Sequence, residues 1–214
     1  MNPNDINCWA SWAVLAIFGH LQPADTVMRE NGPAVRRAAA LIRKRFGAPA
    51  RPLFRGVLLD AADVRDGMLP HYQNTHFVSF TEDEGVARWF ADPDSTMSSF
   101  VRDLNPTKTG WVAQHTPRAD DILFHYSWRE HINIAALARE HPLIDDVPQF
   151  AWNLATQSEV IVTPYTTPIP VAPYVDDGRR DERDEKYTYP PALDAVREHG
   201  WQGLVDFDIV TIHG

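Results

Sequence analysis

The sequence predicts an α+β chain, and three observations carry that prediction. Apolar residues recur at helical spacing over the first fifty positions. Short apolar runs bounded by Gly, Pro and Asp dominate thereafter, so helices come first and strands later. The composition is that of a chain that builds a core: 44% hydrophobic, 23% charged and 11% aromatic over 214 residues, with seven Trp and ten Phe.

The first segment, "INCWASWAVLAIFGHL", is apolar nearly all round and reads as a buried helix. In "NGPAVRRAAALIRKRFG", Pro33 suits a first turn and Gly47 a C-terminal stop. Val35, Ala38, Ala39, Ile42 and Phe46 then share one face, and Arg36, Arg37, Arg43, Lys44 and Arg45 lie mostly elsewhere, as a solvated basic face. Strands follow in "LFRGVLLD" and in "HFVSFT", where Phe77, Ser79 and Thr81 alternate with Val78 and Phe80. Thr81 and Glu84 have capping-box spacing ahead of the helix "EGVARWFAD". "GWVAQHTP" and "DDILFHYSW" read as two further strands and "REHINIAALAREHP" as a helix. "ATQSEVIV" (155–162) reads as a strand, and "TTPIPVAPYV" is extended by its prolines. Ten of the eleven residues from Asp176 to Lys186 are charged, which predicts an exposed, mobile loop before a tail with a short helix and a closing strand.

Charge and cysteine usage exclude several classes. A net charge of −9 argues against broad phosphate-backbone binding. One cysteine, Cys8, permits no internal disulfide, so folding needs no oxidising compartment. The start "MNPND" lacks the basic segment of a signal peptide, and the apolar stretch from Ile6 to Phe18 is too short to span a bilayer. The expectation is a cytoplasmic protein, or one delivered into the cytoplasm of a host or target cell.

Three strands carry a polar residue where an apolar one is expected: Arg55, Ser79 and Glu159. A carboxylate within an apolar strand costs several kcal/mol unless it is paired or partly solvated, so it needs a partner or a cleft. The three can meet if their strands line one cleft. A plain buried Arg55–Glu159 ion pair with Ser79 as a neighbour is the structural alternative.

In order, "LFRG", "VSFTEDEGVARWFA" and "QSEVIV" resemble the mono-ADP-ribosyltransferase family, in its arginine–serine–glutamate branch. The matching positions are Arg55, Ser79 with Thr81, and Gln157 with Glu159, and the likeness covers roughly residues 51–171. The resemblance implies an ADP-ribosyltransferase-like fold of two facing, mainly antiparallel β-sheets with N-terminal helices. It implies one domain over 1–214: a helical lead-in at 1–50, a catalytic core at 51–174, and a charged loop and tail at 175–214. It also implies cleavage of the nicotinamide–ribose bond of NAD+, bound between the sheets, with transfer of ADP-ribose to a macromolecule.

The residue types suit that chemistry. Glu159 would hold the ribose 2′-hydroxyl and stabilise an oxocarbenium-like transition state. Arg55, a planar and permanent cation, would hold the phosphate or ribose side. The Gly56 backbone would meet the nicotinamide amide where a side chain obstructs approach. Ser79 would orient Glu159, and Thr81 would cap the following helix or line the dinucleotide. Phe80 alternates away from Ser79 and is expected in the core. Tyr126, Trp111 and Trp152 are the candidates for an aromatic platform. Gln157, two residues before Glu159 on a strand, would share its face and help select the acceptor, with Trp152 beside it. In the family a Glu at this place goes with arginine acceptors. A Gln is found in relatives that modify asparagine or guanine and in some that mainly hydrolyse NAD+.

The expected partners are NAD+, a protein acceptor in preference to nucleic acid, and a neutralising antitoxin or immunity protein. The role would be that of a bacterial effector or toxin, or of a phage protein. No metal is expected, since His71 and His76 in "HYQNTH" lack Cys or carboxylate partners at ligand spacing. Three alternatives remain: an NAD+ glycohydrolase, an inactive binding or inhibitor protein on the same fold, and a papain-like hydrolase using Cys8 of "NCWASW".

Overall fold

The computed structural model describes residues 2–48, 51–70, 75–95, 98, 106–144, 153–154 and 156–187. The chain groups into two compact units, each assembled from separate stretches. The predicted tail, from 188 onward, lies outside the described residues.

The first unit joins Met1–Ala48 to Leu123–Ser158. Helix α1 (Pro3–Phe18) starts at Asn2, whose side chain accepts from the Asn4 amide, and ends at left-handed Gly19. Trp9, Trp12, Val14 and Leu15 are fully buried, as its all-round apolar pattern requires. Helix α2 (Leu21–Phe46) starts twelve positions before Pro33. Proline therefore sits inside the helix and not in its first turn. The missing N–H and the ring clash cost about 3 kcal/mol. Burial of Ala24, Met28, Val35, Ala38, Ala39 and Ile42 along the face that packs with α1 offsets that cost. Gly47 does end the helix, at φ 80°. The strand predicted over "DDILFHYSW" is shorter: β5 (Ile122–His125) gives way to a 3-10 turn at Tyr126–Glu130. Trp128 in that turn is fully buried and donates to the Gly47 carbonyl at 2.6 Å. Helix α4 (Ile134–Glu140) is capped by Asn133.

The second unit joins Pro49–Ile122 to Glu159–Thr188. Its strands are β1 (Leu53–Leu59), β2 (Met68–Leu69), β3 (Val78–Thr81), β4 (Thr109–His115), β6 (Glu159–Val162) and β7 (Ile169–Pro173). They lie in the order β2-β7-β4-β1-β3-β6. Every described pairing is antiparallel. The fold is α+β, as expected, and neighbouring strands form one hydrogen-bonded run. β1 pairs with β4 along its whole length, from Leu53↔His115 to Leu59↔Thr109, but with β3 only at Phe54↔Thr81. Beyond Phe54 the two strands part, and Arg55 stands where they do.

Helix α3 (Glu84–Ala91) follows β3 directly. Its N-cap is Asp83, which accepts from the Gly85 amide at 2.7 Å, so the predicted Thr81–Glu84 capping box does not form. Thr81 instead accepts from the Asp83 amide and shapes the turn ahead of the cap. The predicted mobile loop at 176–186 is in part a helix, α5 (Arg180–Tyr187). Arg183 on it is buried, donating to Asp177 at 2.6 Å and to the Tyr174 hydroxyl at 3.0 Å, and Asp184 accepts from the Trp89 indole. A run of mixed charge becomes ordered once one of its arginines is buried and paired.

Candidate active site

Arg55, Ser79 and Glu159 belong to three strands of the second unit, and the structure brings them together. Along β3 and β6 the register runs Val78↔Val162, Ser79↔Ile161, Phe80↔Val160 and Thr81↔Glu159. Ser79 and Glu159 are thus diagonal neighbours on one face, within reach of a short side chain. The Ser79 hydroxyl donates to Glu159 Oε1. The Ser79 carbonyl accepts from Arg55 Nη1 at 2.6 Å. One serine therefore ties the acid through its side chain and the base through its backbone.

The two ends of this constellation differ in environment. Arg55 and Ser79 are half-buried, and Glu159 is 7% exposed. Glu159 Oε2 is buried and has no hydrogen-bond partner among the described residues. Burial pushes the Glu159 carboxyl up to about 7, against the opposing pull of the Ser79 hydrogen bond and the nearby Arg55 charge. A carboxyl poised at that value, with one oxygen held and one open, can take up or release a proton near neutrality and can accept from a ligand hydroxyl.

The same register decides other candidates. Phe80 is 3% exposed and lies on the opposite face from Ser79, in the core, where it contacts His115 and Tyr165. Val57↔Trp111 places Trp111 on the face opposite to that of Phe54, Thr81 and Glu159. Trp111 is therefore not the platform beside Glu159. Tyr126 belongs to the first unit, where it stacks on His125 at 4.9 Å with the Arg129 guanidinium 5.7 Å from its ring. Trp152 lies outside the described residues. Thr81 is buried, 5% exposed, directly opposite Glu159.

Gly56 has a packing reason to be glycine. A Cβ there would lie 1.9 Å from the Ala87 carbonyl oxygen and 2.6 Å from the Ala91 amide. Gly110 on β4 meets the Ala91 carbonyl in the same way, at 1.8 Å. The two glycines admit the backbone of α3 onto the sheet, an approach that any side chain would block.

Gln157 is also placed differently. β6 begins at Glu159, and Ser158 has a φ of 45°, so the alternation that would put Gln157 and Glu159 on one face is broken between them. The Gln157 amide follows a helical turn, donating to the Asn153 carbonyl at 3.1 Å, and its carboxamide donates to Asn153 Oδ1. Cys8 is half-buried, beyond the first turn of α1, and its thiol is in no disulfide. It does not occupy the helix N-terminus that would activate a thiol. His71 is outside the described residues, among which no metal-holding cluster occurs. Among them, no helix is long and apolar enough to cross a membrane.

One side chain that the sequence did not single out shares the face of Glu159. Phe54 lies directly opposite Thr81, which lies directly opposite Glu159, so the three form a row across β1, β3 and β6. No periodicity marks Phe54, because only the register between distant strands puts it there. No family model, no curated protein and no solved structure matches this chain.

Proposed function

We propose that the protein is a mono-ADP-ribosyltransferase that cleaves NAD+ at the nicotinamide–ribose bond and passes ADP-ribose to a macromolecular acceptor. The observation that carries this reading is the open, buried Oε2 of Glu159. Its companion oxygen is held by Ser79, and the Arg55 guanidinium is fixed to the same serine. A purely structural ion pair would join the guanidinium to both carboxylate oxygens. Here the arginine donates to a backbone carbonyl, and a carboxylate oxygen is left for a further donor.

In the reaction, the bond from ribose C1′ to the pyridinium nitrogen breaks, and its electron pair leaves with nicotinamide, which becomes neutral. Positive charge develops on C1′ and the ring oxygen. Ionised Glu159 accepts a hydrogen bond from the 2′-hydroxyl through Oε2 and stabilises that charge in a low-dielectric setting. Ser79 keeps the carboxylate aimed, a matter of a few tenths of an ångström. Arg55 offers a planar cation to the diphosphate. The acceptor atom then bonds to C1′ from the opposite side and loses its proton.

Water as acceptor makes the same site an NAD+ glycohydrolase. The carboxamide of Gln157, engaged with Asn153, favours this second reading, because it cannot serve as the second carboxylate that would deprotonate a guanidinium acceptor. Incubation with NAD+ labelled in the adenylate half, alone and with cell lysate, separates the two. Label on a protein or nucleic acid that disappears with Glu159→Gln supports transfer. Nicotinamide release without labelling supports hydrolysis. Absence of turnover together with tight partner binding unaffected by Glu159→Gln would replace both with the inhibitor reading.

A further inference from the structure

We propose that α5 is an ion-held strap: it lies on α3 while charge holds it there and comes away as salt rises, releasing the Trp89 indole. The charged run from Asp176 to Lys186 is then helical only under conditions that favour its ion pairs.

From Arg180 to Lys186 the helix has no apolar residue. A helix of this length does not persist alone in water, and an apolar stripe packed on a neighbour is the usual remedy. Here the covered positions are Arg180, Arg183 and Asp184, at the spacing of one helix face, while Asp181, Glu182 and Glu185 are exposed. Arg180 donates to the Asp94 carbonyl at 2.6 Å and stands 3.6 Å from the Asp94 carboxylate. Arg183 reaches Asp177 and the Tyr174 hydroxyl, and Asp184 accepts from the Trp89 indole at 2.8 Å. Lys186 stands 3.5 Å from Asp83, the N-cap of α3. Charge thus takes the place that apolar burial has between α1 and α2.

The two ends of the strap are open to screening. The side chains of Arg180 and Asp94 are 43% and 48% exposed, and those of Lys186 and Asp83 are 63% and 33% exposed. Pairs of this kind are individually weak and fade as mobile ions accumulate. Toward the N-terminus of α3 the helices also stand apart. A cavity of about 510 Å³ lies there, with Glu84 and Arg88 on one wall and Arg179 and Glu182 on the other. Ions can enter a seam with such walls. Arg183 and Trp89, 6% and 3% exposed, hold the centre and are screened less. With both ends loosened, the centre alone does not keep so short a helix formed.

The test is hydrogen exchange on the full chain, read by mass spectrometry from about 0.01 M to about 1 M NaCl, over which the Debye length falls from roughly 30 Å to about 3 Å. The amides of α5 are expected to lose protection about tenfold across that range, while those of α2, packed through an apolar face, keep theirs. Arg180→Gln, at an exposed position, is expected to lower α5 protection already at low salt and to make its salt response shallower. Protection of α5 that stays level with salt, that falls only together with α2, or that is absent at low salt overturns the strap. So does an Arg180→Gln chain with the parent's protection and the parent's salt response.

Discussion

Two carboxylates in this protein are equally covered, at 7% exposure, and are treated in opposite ways. Asp5, on α1, meets Arg37 of α2 with both oxygens: Nε reaches Oδ2 at 3.0 Å and Nη2 reaches Oδ1 at 2.9 Å. Its guanidinium partner stands largely in water, and the hydrogen bond holds the Asp5 carboxyl below its ordinary value. Glu159 has one oxygen on a neutral hydroxyl, the other open, and an arginine whose Nη1 donates elsewhere. Its carboxyl is pushed up to about 7. A bidentate pair closes a carboxylate and fastens two helices. An incompletely paired one is costly to keep, and the cost is consistent with a site that completes its hydrogen bonding only when a ligand arrives.

The contrast can be broken most sharply at Glu159 itself. Glu159→Gln keeps the shape and removes the charge, and is expected to lower NAD+ turnover about a thousandfold with the fold retained, as read by nicotinamide release and circular dichroism. Asp5→Asn is expected to leave that rate unchanged. Arg55→Lys comes next, with KM for NAD+ rising about tenfold to a hundredfold, because a point charge replaces a fork that makes charge-assisted hydrogen bonds.

Stability should separate the two acids by sign. Glu159 has a folded value of about 7 against an ordinary value of 4.5, so its contribution is full below about pH 4 and is lost as pH rises through 7. The stability of Glu159→Gln relative to the parent should therefore improve by roughly 3 kcal/mol between pH 4 and pH 8, measured by denaturant titration. For Asp5, whose folded value is depressed, the contribution is present above its unfolded value and lost as pH falls through the folded one. The Asp5→Asn deficit, a small drop in Tm at pH 7, should vanish in acid. The finest of these effects is at Ser79. Its hydrogen bond lowers the Glu159 value, so Ser79→Ala should move the acid limb of kcat/KM upward from near pH 7.

What could be read in the sequence was what breaks a pattern. Arg55, Ser79 and Glu159 interrupt apolar strands, and an interruption is visible without a structure. The buried first helix, the strands and the Gly47 stop are local signals too. The misreadings arose where distant packing overrides local preference. Pro33 sits within α2 because the helix has a whole face to bury. Arg180–Tyr187 is nearly all polar, yet Arg183 finds Asp177 and Tyr174 and the helix forms. The positive φ at Ser158 separates Gln157 from Glu159 although their spacing suits a strand. Phe54 carries no signal at all, since its neighbours across the sheet are 27 and 105 positions away in the chain (81 − 54 and 159 − 54).

The most direct measurement compares NAD+ with 2′-deoxy-NAD+ in the parent and in Glu159→Gln. If Oε2 of Glu159 takes the 2′-hydroxyl, the parent will favour NAD+ at least about tenfold in kcat/KM, and the variant will lose that preference. An equal preference in both proteins would show that the open oxygen of Glu159 does not meet the ribose.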